Sequence, residues 1–256
     1  MNIDYFLKHY PEFLMNDKDD AIFENIKLLT GGTTSVRISK LLNFAVSQMD
    51  DNESYVEVGV FTGCTLCSAG YVNEKTCIGI DNYLPEHMIQ MTGHSADFIR
   101  DRCLHNIQCM SNKTKLIEKD FSDVTPEEIG KPVAVSFIDG KHDYTSVLEN
   151  LYWLEPMLAE YAVLVFDDVN YIEVSLAIEK WMALRAGHYD FLTYVKPYYG
   201  PDSRNTSSLR DRFLNNGVCV LLYHRNSAFN TFTYDPSKIG MTKEQMTESI
   251  KGEKPC

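Results

Sequence analysis

The spacing of apolar residues changes character near residue 50. Before it, apolar positions recur at helical spacing: Ile38, Leu41, Leu42, Ala45, Val46 and Met49 fall on one face, and Gly31–Gly32 break the region in two. From Ser54 onward, short apolar runs alternate with amphipathic stretches. The runs at Tyr55–Val58, Cys77–Asp81, Lys115–Lys119, Val133–Ile138 and Ala162–Phe166 read as strands. Helices are predicted after Gly63, from Asp97 to about Met110, from Tyr144 to about Leu158, and from Tyr171 to Ala186. In the last of these Ile172, Leu176, Ile178 and Met182 face inward. The segment Asn82–Ser95, with His87 and His94, reads as polar connection. Such alternation implies a mainly parallel sheet flanked by helices on both faces. Phe191–Val195 and Val218–Tyr223 then follow one another without a helix, as an antiparallel pair must. The long polar and aromatic loop between them, 196–216, fits a substrate wall. A short strand near Thr231–Tyr234 closes the pattern. The organisation read from this is a helical extension over 1–50, a core over 51–225 and a tail over 226–256 packed on or near the core.

Within that pattern, SYVEVGVFTGCTLCSAGYVNEKTCIGID (Ser54 to Asp81) is half of a nucleotide-binding βαβ unit. Gly59 permits a tight turn out of the strand, and Gly63 permits close backbone approach at the following helix start. Asp81, at the tip of the second strand, stands where ribose hydroxyls are gripped in such units. A dinucleotide fingerprint needs a second glycine where this chain has Phe61, which disfavours pyrophosphate and a nicotinamide oxidoreductase. What remains is Glu57-x-Gly59-x-x-x-Gly63, with Thr62 inside the turn. A carboxylate there suits a cationic amino-acid end better than a phosphate. The two glycines would equally serve a sharp strand–helix turn with no ligand.

Composition narrows the partners. The chain has 256 residues and a formal net charge of −12, with no block of Lys and Arg, which argues against nucleic acid or an anionic membrane. No apolar run approaches a membrane span, and the N-terminus lacks the apolar core of a signal peptide. Seven scattered cysteines fit a reduced, cytoplasmic setting. Cys64-x-x-Cys67 has no second pair to complete a zinc site and reads as packing.

Four successive core strands end in acids: Asp81, Asp120, Asp139 and the pair Asp167–Asp168. Ligands of open α/β sheets bind at that rim, and carboxylates gathered there repel one another unless a cation sits among them. Asp139, Asp167 and Asp168 are hard oxygen ligands suited to Mg²⁺, Mn²⁺ or Ca²⁺. The same residues also fit a helix cap and a turn start. His142, three positions past Asp139, fits a proton acceptor at neutral pH, and His87 and His94 are rivals for that role.

The glycine pattern resembles motif I of the class I S-adenosylmethionine-dependent methyltransferases, and the strand order with its terminal hairpin looks like their Rossmann-like fold with seven strands. Phe137-Ile-Asp-Gly-Lys-His-Asp-Tyr144, a helix, then Val165-Phe-Asp-Asp168 resembles the macrocin and mycinamicin sugar O-methyltransferase family, and its acids are spaced similarly to those of catechol O-methyltransferases. The match covers roughly 54–170. It implies S-adenosylmethionine held by Glu57, Gly59, Thr62, Gly63 and Asp81, with Asp120, Phe121 and Asp139 along its adenosine. It implies Mg²⁺ (or Mn²⁺ or Ca²⁺) on Asp139, Asp167 and Asp168, and His142 as general base. The expected acceptor is a small-molecule or sugar hydroxyl, and a homo-oligomer is compatible. Two departures stand out: Glu160–Tyr161 replaces the usual glycines of a helix-to-strand turn, and Asp168 stands where catechol-type enzymes carry Asn. Readings that remain open are a cephalosporin-hydroxylase-type enzyme on the same core and a non-catalytic binding module.

Overall fold

The computed structural model describes residues 1–15, 18–110, 113–185, 187–195 and 217–226. The 196–216 loop and the strand expected near 231–234 lie outside the described residues, as does most of the expected tail. Seven strands form one sheet in the order β3-β2-β1-β4-β5-β7-β6. They are β1 (Ser54–Val58), β2 (Thr76–Ile80), β3 (Thr114–Ile117), β4 (Val133–Ile138), β5 (Leu158–Phe166), β6 (Tyr189–Val195) and β7 (Val218–His224). β1 to β5 run parallel, while β7 is antiparallel to both β5 and β6. This is the Rossmann-like sheet with a C-terminal antiparallel hairpin that the sequence pattern implies.

The strands are apolar because both faces are covered. One face packs under α1 (Ile3–Met15), α2 (Asp20–Thr30), α3 (Val36–Ser47), α4 (Cys64–Gly70), α5 (Pro85–Thr92) and α6 (Ala96–Met110). Phe6, Ile38, Leu41 and Leu42 of the N-terminal helices share that core with Tyr55 and Leu66, so residues 1–50 complete the sheet's cover. The other face carries α7 (Pro126–Ile129), α8 (Tyr144–Leu154) and α9 (Ile172–Leu184) over Val56, Ile78 and Leu164. No helix of the described residues is long and apolar enough to cross a membrane.

Three local expectations change. Asn82–Ser95 holds a helix, α5, started by Pro85 in its first turn and closed by Gly93 at φ 73°. The turn into β5 comes at residues 155–157, so Glu160 and Tyr161 lie within the strand and need no glycine. On α9 the inward face is Val174, Ala177, Ile178, Trp181 and Met182, while Ile172 and Leu176 point outward at 66% and 47% exposure. The i, i+3, i+4, i+7 set headed by Val174 wins because it includes the fully buried Trp181.

Candidate active site

The strand order reverses between β1 and β4, and the site is built where both strands end. Gly59 leaves β1 with φ 86°, and a Cβ there would stand 2.2 Å from the Asp139 carbonyl oxygen. Its lack of a side chain lets the β1 and β4 exits touch. Gly63 (φ 83°) begins α4, and a Cβ there would meet Cys103 Sγ at 3.0 Å. Within the protein, the close approach at Gly63 is to α6.

Glu57 lies under this turn, fully buried. Tyr55 Oη donates to Oε2 at 2.5 Å and Thr65 Oγ1 to Oε1 at 2.5 Å. Burial pushes its carboxyl up to about 8, against the pull of the Thr65 and Tyr55 hydrogen bonds. Below that pH it is neutral with both oxygens engaged, so it presents no exposed charge to a cationic ligand. Thr62, 2% exposed, is different: its Oγ1 is buried without a hydrogen-bond partner. Its carbonyl accepts from Asn106 Nδ2 at 2.8 Å, which fixes the turn from α6.

The five acids at these strand ends do not form one cluster. Asp81 Oδ2 accepts from Val60 N (2.8 Å) and Phe61 N (2.9 Å), and Oδ1 from Tyr83 N (2.8 Å). Three of a carboxylate's roughly four lone-pair sites are thereby used. Asp120 caps the short helix at Phe121–Asp123, accepting from Ser122 N, Ser122 Oγ and Asn82 Nδ2. Burial raises its pKa, but these hydrogen bonds outweigh it and hold the carboxyl below its usual range. Phe121 packs edge-on to Trp153.

Asp139 and Asp168, at the ends of β4 and β5, do converge, and His142 lies between them. Its Nε2 is 3.1 Å from Asp168 Oδ2 and 3.4 Å from Asp139 Oδ1. Ligating atoms of these three residues all lie within 4.8 Å of one another. Burial lifts Asp139 to about 6, aided by the Asp168 charge and opposed by His142. Burial lowers the His142 pKa, yet the Asp139 hydrogen bond and the Asp168 charge outweigh it and the net shift is upward. Asp168 is 8% exposed, sits at φ 56°, and its Oδ1 has no hydrogen-bond partner. A buried carboxylate oxygen left open beside a second carboxylate fits a divalent cation.

Asp167 does not join this group. It is 3% exposed, and its Oδ1 accepts the Asp168 N–H at 2.8 Å. It follows the last residue of β5, whereas Asp168, with left-handed backbone, brings Oδ2 to 3.1 Å from His142 Nε2. Among the described residues, the carboxylate and imidazole atoms that come together are those of Asp139, His142 and Asp168, without Asp167. His94 is exposed on the surface and stacks on Phe98. The side chain of His87 lies outside the described residues.

Two residues that hold this group carried no motif. The Tyr171 ring lies parallel to the His142 imidazole, centroids 5.3 Å apart at 10°. Glu173 Oε2 accepts the Tyr144 N–H at 3.0 Å, tying the start of α9 to the loop that carries Asp139 and His142. An aromatic residue shortly after a pair of acids at a strand end was the available signal.

Residues 56–169 match the family model of a methyltransferase domain. The matched stretch runs from within β1 to just past β5 and contains Asp139, His142 and Asp168. Among solved structures, the chain is similar to cofactor-bound Rv0187 from MTB (TM-score 0.57, 14% identity, covering 82% of this chain and 92% of that one). It is also similar to the O-methyltransferase TomG from Streptomyces achromogenes in complex with SAM (0.55, 11%, 82% and 91%). A third is the O-methyltransferase from Bacillus cereus in complex with SAH (0.53, 11%, 84% and 96%). At these identities the likeness is one of fold. No curated protein sequence matches the chain.

Proposed function

We propose that the protein is an S-adenosylmethionine-dependent O-methyltransferase, assisted by a divalent cation, that acts on a hydroxyl of a small molecule or sugar. The observation that carries this is the Asp139–His142–Asp168 group at the β4 and β5 exits of a methyltransferase domain. The remaining free site on Asp81, with Asp120 and Phe121 at the next strand end, would hold the adenosine. The β1–α4 turn, with Gly59, Thr62 and Gly63, would hold the amino-acid end, while Glu57 acts beneath the turn through Thr65. Asp139 and Asp168 would hold the cation, for which Mg²⁺ or Mn²⁺ is the expected occupant.

The bound donor would supply a methyl group already activated on sulfonium, and the cation would lower the pKa of the acceptor hydroxyl and fix its position. His142 accepts the hydroxyl proton. Attack of the oxygen on that methyl group would form the new C–O bond as the C–S bond breaks, giving S-adenosylhomocysteine and a protonated His142. Asp139 and Asp168 would keep the oxygen in line through the cation they hold, and alignment of this kind is worth up to ~7–11 kcal/mol.

The test is a thermal-shift titration with S-adenosylhomocysteine and, separately, NAD, each with and without Mg²⁺. Ligand at 100 times its Kd stabilises by about 2.7 kcal/mol. A rise with S-adenosylhomocysteine and none with NAD is expected. No shift with S-adenosylhomocysteine in either metal condition refutes the reading.

A further inference from the structure

Asn106 carries a buried amide with no part in the reaction as written. It lies on the inner face of α6, 7% exposed, one turn beyond Cys103. An amide buried this far costs free energy unless its hydrogens find acceptors. Its Nδ2 reaches two acceptors, on two different segments. It donates to the Thr62 carbonyl in the β1–α4 turn at 2.8 Å and to the Thr30 carbonyl at 3.2 Å. Thr30 ends α2, so its carbonyl has no partner within that helix. The connection that follows runs against the same place. Gly32 is pressed onto the first residue of α4, where a Cβ would stand 2.1 Å from Cys64 Cβ. Thr34 and Ser35 are buried, and Ser35 Oγ caps α3 by accepting the Ile38 N–H at 3.2 Å. Residues 30–35 are thus fastened to the start of α4 and, through Asn106, to the turn itself. They stand outside the stretch that matches the methyltransferase domain, residues 56–169.

We propose that Asn106 is a positioning residue of the methyl-donor site. It locks the β1–α4 turn to the α2–α3 connection, so that donor binding and docking of the N-terminal helices reinforce each other. This rests on the methyltransferase reading above, in which that turn holds the amino-acid end of the methyl donor. A turn already fixed by a buried amide has less freedom to lose when a ligand orders it. Linkage makes the effect reciprocal: whatever the docked connection adds to ligand affinity, the ligand adds to docking of the connection. Residues 1–50 then contribute rigidity to the donor site as well as cover for the sheet.

The experiment combines amide hydrogen exchange with calorimetry, using S-adenosylhomocysteine as the probe. In wild type, saturating S-adenosylhomocysteine should slow exchange across residues 30–36 as well as 59–63. Asn106→Leu keeps the side-chain bulk and removes both N–H groups. It should bind S-adenosylhomocysteine about tenfold more weakly, and at saturation only 59–63 should still be slowed. Asn73 supplies the control, because its Nδ2 makes a similar double bond at the other end of α4, to Asn43 O at 3.0 Å and Ala69 O at 2.8 Å. Asn73→Ala should lose stability in urea and bind S-adenosylhomocysteine as wild type does. Three results overturn the proposal: exchange across 30–36 that ignores the ligand in wild type, wild-type affinity in Asn106→Leu, or an equal loss of affinity in Asn73→Ala. If Asn106→Leu does not fold, the wild-type exchange measurement decides alone. Failure of S-adenosylhomocysteine to bind wild type is a separate result, and it overturns the methyltransferase reading together with this proposal.

Discussion

Glu57→Gln should make the protein more stable in mild alkali. The Glu57 carboxyl has an ordinary value of 4.5 and is pushed up to about 8 by burial. Between those values the folded chain keeps a proton that the unfolded chain has lost. Stability from this group is therefore fully present below pH 4.5 and falls as pH rises to about 8. At ~1.4 kcal/mol per pH unit, the fall is on the order of 3–5 kcal/mol. Glutamine has the same size and cannot ionise. Its amide can accept from one of Tyr55 and Thr65 and donate to the other, because both hydroxyls rotate freely.

The assay is urea denaturation of wild type and Glu57→Gln at half-unit steps from pH 5 to 9, without ligand. The two should agree within ~1 kcal/mol at pH 5 and diverge steadily, with the variant ahead by ~3–5 kcal/mol at pH 9. All other titrating groups are common to both proteins and cancel in the difference. A difference that stays flat across this range would mean that Glu57 is ionised throughout in the folded protein. The account of its burial would then be wrong.

Asp168→Ala should abolish cation-dependent methyl transfer while leaving S-adenosylhomocysteine affinity intact, since Asp168 meets His142 and not the β1 turn; turnover and calorimetry check this, and undiminished activity in EDTA contradicts it. Gly59→Ala combines a positive φ of 86° with a Cβ 2.2 Å from the Asp139 carbonyl, so a loss of at least ~2 kcal/mol is expected by denaturation. Trp181→Ala, at a fully buried position, should cost ~3–5 kcal/mol. Leu176→Lys, on the outward side of the same helix, should stay within ~0.5 kcal/mol, and equal losses at the two positions would refute the assignment of the α9 faces.

The fold was legible where burial on two faces writes itself into composition. Val133–Ile138 and the apolar residues around Val163–Phe166 can hardly be anything but central strands, and they lie side by side in the sheet. The lack of a helical apolar pattern in the sequence between Phe191 and Val218 announced the antiparallel end. Helix faces were less legible. Ile172 and Leu176 are as apolar as the buried Ile178, and the demand of Trp181 for a full pocket rotates α9 so that they face out. Pro85 opens α5 in a segment whose polarity suggested a loop, because a first-turn proline and a closing Gly93 outweigh a weak apolar stripe.

At the site, the sequence pointed to residues suited to chemistry but not to how many donors each already has. Five acids at four strand ends look alike in a row of letters, and mutual repulsion among them argues for a cation. Folding distributes them unequally. Asp81 is occupied by three backbone N–H groups and Asp120 by its own turn, so neither needs a cation to lie where it does. Asp167 turns inward. The electrostatic need is thereby concentrated on Asp139 and Asp168, where His142 lies between both carboxylates at 3.1 and 3.4 Å. One Nε2 proton can satisfy only one of them at a time, and Asp168 Oδ1 still has no partner. A cation at that point would answer both deficits at once. The case for a divalent ion is thus stronger at two residues than it was spread over five.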